Sequence, residues 1–478
     1  MAKQAVLPGT GGPVVLISCY ELGHQPMGIA SPAGFLERAG IAALLLDLSR
    51  QPLDEAAVRD AALVAISTPM HTALRLALPV AEKIRRINPA CHICFYGLYA
   101  GLNSDTLLGR HADSVIAGEA EQPLLGLVRA VGGLRGGGRG SLDGDSLEGV
   151  SFVGQRRGPW LGRTHHAAPA RGGLPPIGQY SRLLGRDGSV PVGYVETTRG
   201  CKHLCLHCPI TPVYGGRFFA VSQEVVLGEI GRLVEEGAGH ITFGDPDFLN
   251  GPSHGVAIVS QMHRSFPQLT FDFTAKISHL LAHAALLPRL ARQGCLFVVS
   301  AVESLAPKVL QNLAKGHTRQ DVEAVLAALR GAGIALRPSL MPFTPWSSLT
   351  DYLDLLGFVF GEGLVNHLEP VQWSVRLLVP PGSALLDTPQ FAPFQGPLDD
   401  TLLTHLWSHP DPRMDRLQLE VAALAEEAAT LDETAERTFA KIAGVAFAAA
   451  GQPERLELFL AAGPPQPSAP RLSEPWFC

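Results

Sequence analysis

The stretch ETTRGCKHLCLHCP, residues 196–209, decides how the rest of the chain is interpreted. It places Cys201, Cys205 and Cys208 on one short loop, directly after the strand that we predict over residues 193–197. Three thiolates on one loop can ligate three irons of a [4Fe-4S] cluster and leave the fourth iron open to a small molecule. The spacing therefore predicts an iron–sulfur site with one open position.

Zinc is the competing metal for the same loop. His203 or His207 would then supply a fourth ligand beside the three sulfur atoms. A structural zinc site has no evident use for a position at the end of a strand, so the cluster is favoured. The remaining cysteines are dispersed and do not suggest a disulfide framework; they are Cys19, Cys91, Cys94, Cys295 and Cys478.

The region around the cysteine loop alternates short apolar runs with amphipathic stretches. We predict further strands over residues 240–243, 270–274, 296–302 and 335–341, with helices between them. Five or six such units are typical of a full or partial β/α barrel, in which the active site lies at the carboxyl ends of the strands. We assign residues 191–385 to this barrel.

The first part of the chain shows the same alternation. Apolar runs near residues 14–17, 42–46, 63–66, 92–95 and 114–116 are separated by helical stretches, which predicts a doubly wound parallel sheet of the Rossmann or flavodoxin kind over residues 1–132. Such sheets bind ligands outside the carboxyl ends of their strands. The candidate loops are residues 21–28, 67–71 and 97–103.

Three further segments complete the α/β organisation. Residues 133–190 begin with a glycine-rich run and are predicted to be a linker. Residues 386–462 are predicted to be helical, and residues 463–478 form a proline-rich tail that ends in Cys478. The fold class is thus an N-terminal doubly wound parallel sheet, a full or partial β/α barrel and a helical C-terminal region.

Composition excludes several classes of protein. Hydrophobic residues make up 46% of the 478 residues and charged residues 17%, which favours a globular protein over a disordered one. The net charge of −6, without a long basic run, disfavours a nucleic-acid partner. The chain contains no run of about 18 apolar residues and begins without a secretion signal, so we expect no membrane insertion and a cytoplasmic location.

The cysteine spacing after a barrel strand resembles the hallmark of the radical S-adenosylmethionine (SAM) superfamily, and the resemblance covers residues 191–381. It implies that the cluster binds SAM and cleaves it reductively. His207 stands where the family often has an aromatic residue near the adenine. Gly244, Asp245 and Asp247 end the second barrel strand, where the family binds the SAM amino group; a strand-ending turn is the alternative.

Two later segments also resemble family positions. Glu303 and Ser304, at the fourth barrel strand, resemble a Glu-Ser pair whose carboxylate contacts SAM; a solvated charge is the alternative. Arg337 lies on the fifth strand, where it would close the adenosine site or form a surface salt bridge.

Residues 113–121, DSVIAGEAE, look like the end of the cobalamin-binding domain that precedes many radical SAM barrels, which makes Gly118 and Glu119 candidate cofactor-binding residues. The DxHxxG signature of a cobalt-coordinating histidine is missing, because the loop after the first strand reads YELGHQPMG over residues 20–28. Two interpretations remain: cobalamin bound without that ligand or with another one, or a domain that binds no corrin.

The motif YELGHQP, residues 20–26, together with a C-terminal cysteine resembles a smaller branch of radical SAM proteins with cysteine- or selenocysteine-bearing tails. Those tails carry adjacent sulfur or selenium residues, whereas this sequence has Cys478 alone. Cys478 is a candidate catalytic thiol if the tail folds over the barrel, and an incidental residue of a disordered terminus if it does not.

Our preferred hypothesis is an enzyme that cleaves SAM and modifies a small molecule by methylation, transfer of a SAM-derived group or rearrangement, with electrons from a reductant such as flavodoxin or ferredoxin. The alternative is a non-catalytic redox sensor that binds a corrinoid or a metalloid. A third interpretation, tRNA modification, is disfavoured by the acidic charge balance.

Overall fold

Two sheets, each flanked by helices, organise the computed structural model of the chain, which describes residues 12–133, 146–185 and 188–474. The strands are β1 (Val14–Ser18), β2 (Ala43–Asp47), β3 (Leu63–Ser67), β4 (His92–Tyr96), β5 (Ser114–Ile116), β6 (Val150–Phe152), β7 (Arg182–Gly185), β8 (Gly188–Val195), β9 (Thr198–Gly200), β10 (Phe218–Ala220), β11 (His240–Phe243), β12 (Thr270–Thr274), β13 (Cys295–Glu303), β14 (Ala335–Leu340), β15 (Leu398–Asp399), β16 (Thr404–His405) and β17 (Arg471–Leu472).

The helices alternate with these strands. They are α1 (Met27–Arg38), α2 (Glu55–Asp60), α3 (His71–Ile87), α4 (Leu98–Leu102), α5 (Ser104–Leu107), α6 (Glu121–Gly133), α7 (Ile210–Tyr214), α8 (Gln223–Glu235), α9 (Pro252–Ser265), α10 (Ile277–Ala282), α11 (Leu287–Arg292), α12 (Pro307–Asn312), α13 (Arg319–Ala332), α14 (Leu349–Gly361), α15 (Pro412–Leu431), α16 (Ala435–Ala449) and α17 (Arg455–Ala461). Across the described residues, no helix combines the length and the apolar character needed to span a bilayer.

The first sheet has the strand order β2-β1-β3-β4-β5-β6. Strands β1 to β5 pair in parallel, and β6 adds an antiparallel edge. The apolar runs of β1, β3 and β4 are buried along their whole length because helices cover both faces of the sheet. The prediction of a doubly wound parallel sheet is confirmed, with its switch point between β1 and β3.

The second sheet has the order β14-β13-β12-β11-β8-β7-β17. Five strands are parallel, from β8 to β14, while β7 and β17 pair antiparallel at one edge. The sheet is open between β14 and β17, so the barrel is the partial form of the two that the sequence allowed. Its outer face packs on α8 to α11, on α13 and α14, and on the C-terminal helices α15 and α16, in one continuous apolar core.

The segment predicted as a linker is built into both sheets where the structure describes it. Strand β6 extends the first sheet and β7 extends the second. Between them, Ala170 donates its N–H to Ala30 of α1, and the Arg171 guanidinium pairs with Glu229 of α8. The segment therefore fastens the two domains together. The predicted helical region likewise differs at its start, because a short β15–β16 hairpin precedes α15.

The proline-rich tail packs on the barrel over its described residues, and we call residues 463–474 the strap. Gln466 accepts a hydrogen bond from the N–H of Val365, and Arg337 donates to the carbonyl of Pro470. Strand β17 then pairs with β7, so the strap forms the outermost strand of the barrel sheet. Cys478, the predicted catalytic thiol, lies outside the described residues.

Candidate active site

A cavity of about 390 Å³ lies between the concave face of the barrel sheet, the cysteine loop and the first domain. Alternate residues of the parallel strands face it, as the two-residue period of a strand requires: Thr242 on β11, Asp272 and Thr274 on β12, Phe297, Val299 and Ala301 on β13, Arg337 and Ser339 on β14. The carboxyl-edge loops of the first sheet cover the opposite side with Leu22, His24, Pro69, Met70, Leu98 and Tyr99.

All three cysteines of the loop line this cavity. Burial raises the pKa of Cys201 to about 11 and that of Cys208 to about 12, so the bare thiols hold their protons at neutral pH. Cationic irons would offset that cost.

Gly200 and Asn250 shape the entry to the cysteine loop. Gly200 has φ = 77°, and a Cβ there would come within 2.6 Å of the Arg217 carbonyl. The Asn250 amide donates to the carbonyl of Gly200 and accepts from the N–H of Lys202. A glycine directly before Cys201 is thus required by a positive φ and a close backbone contact.

Gly244 and Asp245 hold the start of the loop from the neighbouring strand. Asp245 accepts hydrogen bonds from the hydroxyls of Thr197 and Thr198, both at 2.6 Å, and from the N–H of Thr197 at 3.0 Å. Burial raises the pKa of Asp245 to about 6, although these hydrogen bonds oppose the shift. A Cβ on Gly244 would overlap the ring of Tyr194, so glycine is needed there for the ring to pack. Both residues line the cavity.

Asp247 joins two histidines. Its Oδ2 lies 2.8 Å from Nδ1 of His279 and 3.7 Å from Nε2 of His203, and it accepts the N–H of Lys276 at 3.1 Å. Its Oδ1 accepts the N–H of Leu249. Asp247 and His203 line the cavity beside the cysteine loop, which is where the resemblance placed a contact to SAM.

Glu303, Lys315 and His207 form a buried polar cluster on the same side. Oε1 of Glu303 lies 3.3 Å from Nζ of Lys315 and 3.3 Å from Nε2 of His207. Burial would raise the pKa of Glu303, but the Lys315 charge and the His207 hydrogen bond lower it to about 2. The backbone of Glu303 has φ = 61° at an irregularity in the β13–β14 pairing, which aims its side chain into the cavity.

The remaining predicted barrel residues differ in their placement. Arg337 lines the cavity and pairs with Glu369 at 2.8 Å. Ser304 is not a lining residue; its hydroxyl accepts the N–H of Ala306 in the turn before α12. Its proximity to Glu303 in the sequence put it in the predicted site, whereas its side chain serves the turn.

Gly118 and Glu119 lie outside the cavity lining, at the contact between the two domains. Gly118 has φ = 84° and approaches the Trp160 backbone, where a Cβ would come within 2.3 Å of the carbonyl oxygen. Glu119 accepts from the Tyr214 hydroxyl and pairs with Arg199 of β9, which also pairs with Glu121. In the structure these residues join the domains.

The first-sheet loops provide a surface for a cobalamin, and His24 in the loop after β1 is a histidine that lines the cavity there. The predicted loops after β1, β3 and β4 do meet at the cavity, where Met70, Leu98 and Tyr99 present an apolar face. His71 is turned away, since its Nε2 lies 2.7 Å from the Leu402 carbonyl. A corrin ring fits this interdomain position by its lining, although the sequence around His24 departs from the DxHxxG signature.

Several cavity residues were not identified from the sequence. They are His24 and Tyr194, whose rings stack 4.8 Å apart across the domain boundary, Asp272 on β12, and Leu472 and Glu474 of the strap. The motif YELGHQP contains His24. The contact of His24 with Tyr194 cannot be predicted from the sequence, because Tyr194 lies in another domain. The two-residue period of β12 was the available signal for Asp272.

Comparison with known proteins agrees with this architecture. Residues 195–356 match the radical SAM superfamily, and residues 13–128 match the B12 binding domain. An uncharacterized methyltransferase of Pyrococcus horikoshii is 28% identical over 30% of this chain and 31% of its own. The ribosomal protein uS12 methylthiotransferase RimO of Trichlorobacter lovleyi is 24% identical over 41% and 46%. The chain thus spans 31% and 46% of the length of these two curated relatives.

Two solved structures share the fold. The cobalamin-dependent SAM radical enzyme OxsB with aqua-cobalamin bound superposes with a TM-score of 0.67 at 14% identity, over 87% of this chain and 67% of the other. The radical SAM methyltransferase TsrM from Kitasatospora setae, with cobalamin and a [4Fe-4S] cluster bound, gives 0.57 at 17% identity, over 73% and 70%. The chain therefore combines a B12-binding domain with a radical SAM domain.

Proposed function

We propose that this chain is a radical SAM enzyme that reductively cleaves SAM at a [4Fe-4S] cluster held by Cys201, Cys205 and Cys208 and so modifies a small molecule. The observation that carries the proposal is the position of the three cysteines on the wall of the interdomain cavity, next to the Glu303–Lys315–His207 cluster. In the proposed division of the chain, residues 191–385 carry the reaction and residues 1–132 bind the second cofactor.

The cluster, when bound, supplies the electron that breaks a carbon–sulfur bond of SAM, and the chain's own residues bind and orient SAM. Glu303, ionised at neutral pH, suits a hydrogen-bond donor of SAM such as an amino or hydroxyl group. Asp247 and His203 offer polar atoms beside the cysteine loop, and His207 fixes Glu303. Asp245 acts at one remove, by fastening Thr197 and Thr198 at the loop entry.

Cobalamin is the proposed second cofactor, and methylation is the proposed outcome. The B12-binding domain, the apolar interdomain surface around Met70 and Tyr99, and the likeness to OxsB and TsrM support it. Bound cobalamin would supply cobalt chemistry suited to carrying a methyl group. The loops at Met70 and Tyr99 would hold the ring and exclude water from it.

A small-molecule substrate is favoured by the enclosure of the cavity. TsrM has been solved with tryptophan as its substrate, whereas the name of RimO states a ribosomal protein substrate. Here the strap and the 20–26 loop close the open side of the barrel, which leaves little access for a macromolecule. We further propose flavodoxin or ferredoxin as reductant, and Cys478 as a reacting thiol delivered by the strap, because Glu474 lines the cavity four residues before it.

Anaerobic reconstitution tests this proposal. We expect about four irons per chain, an absorption spectrum perturbed by SAM, retention of added cobalamin on gel filtration, and release of a SAM cleavage product after dithionite reduction. Each of Cys201→Ala, Cys205→Ala and Cys208→Ala should abolish cleavage.

Cys91→Ala is the matched control, because Cys91 lies in the first domain away from the cavity. Zinc without iron in the wild type, or cleavage retained in a loop variant, would overturn the assignment. Cluster reduction without SAM consumption would instead support the redox sensor.

A further inference from the structure

A buried carboxylate on β12 also lines the cavity. Asp272 on β12 is 3% exposed. Nε2 of His240 lies 2.9 Å from its Oδ2, and the Thr242 hydroxyl donates to the same atom at 2.7 Å. Within the part of the chain that the structure describes, both hydrogen bonds end on Oδ2, so Oδ1 is available to a ligand. His240 and Thr242 thus hold this carboxylate in one orientation.

His24 supplies a second polar group beside it. The side chain comes from the first domain, is 5% exposed, lines the cavity and stacks on Tyr194. Its Nδ1 has no hydrogen-bond partner among the described residues. Burial, with smaller contributions from Arg171 and His240, lowers its pKa to about 4, so the ring is neutral at pH 7. Burying a nitrogen atom without a hydrogen-bond partner is unfavourable in free energy, unless a bound ligand supplies that partner.

The backbone around His24 is fixed by contacts that leave its ring to face inward. Glu21 accepts the N–H of Gly28 through both oxygens, at 3.0 and 3.1 Å. Gln25 donates to the Pro175 carbonyl, and Arg171 donates to the backbone and side-chain oxygens of Gln25. A loop anchored on both sides of His24 is suited to binding rather than to packing alone.

Charge distinguishes this part of the cavity from the proposed SAM site. The cations that line the cavity have other partners or positions: Lys315 pairs with Glu303, Arg337 with Glu369 and Arg376 with Asp415, while Lys276 acts on the pKa of His203 and Cys201 at the cysteine loop. The ion-pair partner of Asp272, among the described residues, is His240. Arg337 interacts electrostatically with Asp272, but its ion pair is with Glu369, and Asp272 has no Lys or Arg ion-pair partner among the described residues. A buried carboxylate without such an ion pair is complementary to a cationic ligand.

The surrounding walls suit the same ligand. Phe297 and Tyr194 line the cavity. Phe297 stacks on His240 with 6.0 Å between ring centroids and already has the Arg337 guanidinium 6.0 Å from its centroid. Tyr194 lies in register with Thr242 and Asp272 on the adjacent strands, so its ring is the aromatic group near Asp272 for a ligand. Aromatic faces attract cations, and they pack against apolar groups. The lining therefore combines a carboxylate, a neutral imidazole and aromatic rings.

We propose that His24 and Asp272 form a subsite that binds the basic nitrogen of the substrate, which is then a small amine with an apolar body. This inference rests on the proposed function, and it names the substrate class for the same cavity. The ammonium would donate to Oδ1 of Asp272, and a further N–H would be accepted by the neutral imidazole of His24. The modified carbon or nitrogen then lies between this subsite and SAM.

The test compares three probes of the same shape on the cluster-loaded protein with SAM present: benzylamine, benzyl alcohol and benzoate, titrated anaerobically by calorimetry or ligand-observed NMR. Benzylamine should bind best. Asp272→Asn should weaken it about ten-fold or more, and His24→Leu by a smaller factor, with little change for benzyl alcohol. Asp105→Asn, which removes an exposed carboxylate, is the matched control and should bind benzylamine like the wild type.

Cluster absorption and SAM cleavage are recorded on each variant to establish that it is folded. If Asp272→Asn loses its cluster, Thr242→Val provides the second variant, since it removes one orienting bond and should weaken benzylamine by a few-fold. Equal binding of benzylamine to wild type and Asp272→Asn, preference for benzoate, or no benzylamine binding in a protein that cleaves SAM would overturn the subsite. Asp272-dependent amine binding without SAM cleavage would overturn the proposed function and retain the subsite.

Discussion

The hydroxyl of Tyr20 donates a 2.8 Å hydrogen bond to Oε1 of Glu474, a residue 454 positions later in the chain. Arg50 lies 3.5 Å from the other carboxylate oxygen of Glu474. Gly23 packs so closely against the Glu474 side chain that a Cβ at position 23 would overlap it. The strap is thereby joined to the loop that carries His24. Two segments that are remote in sequence form one wall of the cavity.

Removing this bond should loosen the strap. Tyr20→Phe deletes the donor while keeping the ring, and we expect the free energy of unfolding to fall by about 1 kcal/mol. Amide hydrogen exchange should rise at Leu472 and Ser473 more than in α15. Glu457→Gln, on the exposed side of α17, is the control; an equal effect from both variants would contradict a specific link.

Arg199 should be essential to the domain contact. It pairs with Glu119, Glu121 and Glu196, and its charge lowers the pKa of Glu121 to about 2 although burial opposes this. Arg199→Met would leave buried carboxylates uncompensated, at a cost of about 3–5 kcal/mol in urea unfolding at pH 7. Adding Glu121→Gln should recover part of the loss.

The exposed Arg413 pairs with Asp411, so Arg413→Met should change little and serves as the control for Arg199. If Arg199→Met and Arg413→Met were equally stable, the buried network would have no role in holding the domains.

The buried imidazole of His24 should make stability depend on pH. Its pKa falls from 6.5 to about 4 on folding, so the unfolded chain binds more protons between these values. The contribution of His24 to stability is therefore complete above pH 6.5 and lost progressively as the pH falls towards 4. Between pH 7 and 5, the free energy of unfolding of His24→Leu should fall by up to about 2 kcal/mol less than that of the wild type.

His165→Leu, at an exposed position, is the control for this pH series and should leave the slope unchanged. A slope unaltered in His24→Leu would mean that the imidazole titrates alike in the folded and unfolded chain.

Glu303→Gln should weaken SAM binding while leaving the cluster in place. The substitution keeps the size of the side chain but removes the charge that Lys315 and His207 hold. We expect the apparent Kd for SAM to rise about ten-fold, since hydrogen bonds to a charged group contribute about 1.5–3 kcal/mol. Equilibrium dialysis with the reconstituted protein measures it, and the exposed Glu323→Gln should behave as the wild type.

Much of the architecture could be predicted because it follows from local pattern. The buried runs of β1, β3 and β4 and the helices between them predict a doubly wound sheet. The same alternation gave the five parallel barrel strands. Strands β6, β7 and β17 were missed, since they are only two to four residues long and have no period to detect.

Site residues that are consecutive in the sequence could be predicted, whereas residues whose role depends on contacts with distant parts of the chain could not. The cysteine loop and the Gly244–Asp247 turn are contiguous, and both line the cavity. The stacking of His24 on Tyr194 depends on the docking of two domains. Ser304 and Glu119 are predicted as cofactor-binding residues because they lie within or next to a motif in the sequence. In the structure, the Ser304 side chain supports a turn and the Glu119 side chain contributes to the domain contact.

Strand β17 also sets an order of events during synthesis. Strand β17 joins the barrel sheet by pairing with β7, and Glu474 beside it contacts Tyr20. These two contacts cannot both be complete before residue 474 has left the ribosome. The five parallel strands and the cysteine loop precede β17 by about 130 to 280 residues of chain, and closing so long a loop is entropically unfavourable until both ends are folded. The nascent protein thus remains open on one side, which provides an interval for cofactor insertion before its last strand seals the chamber.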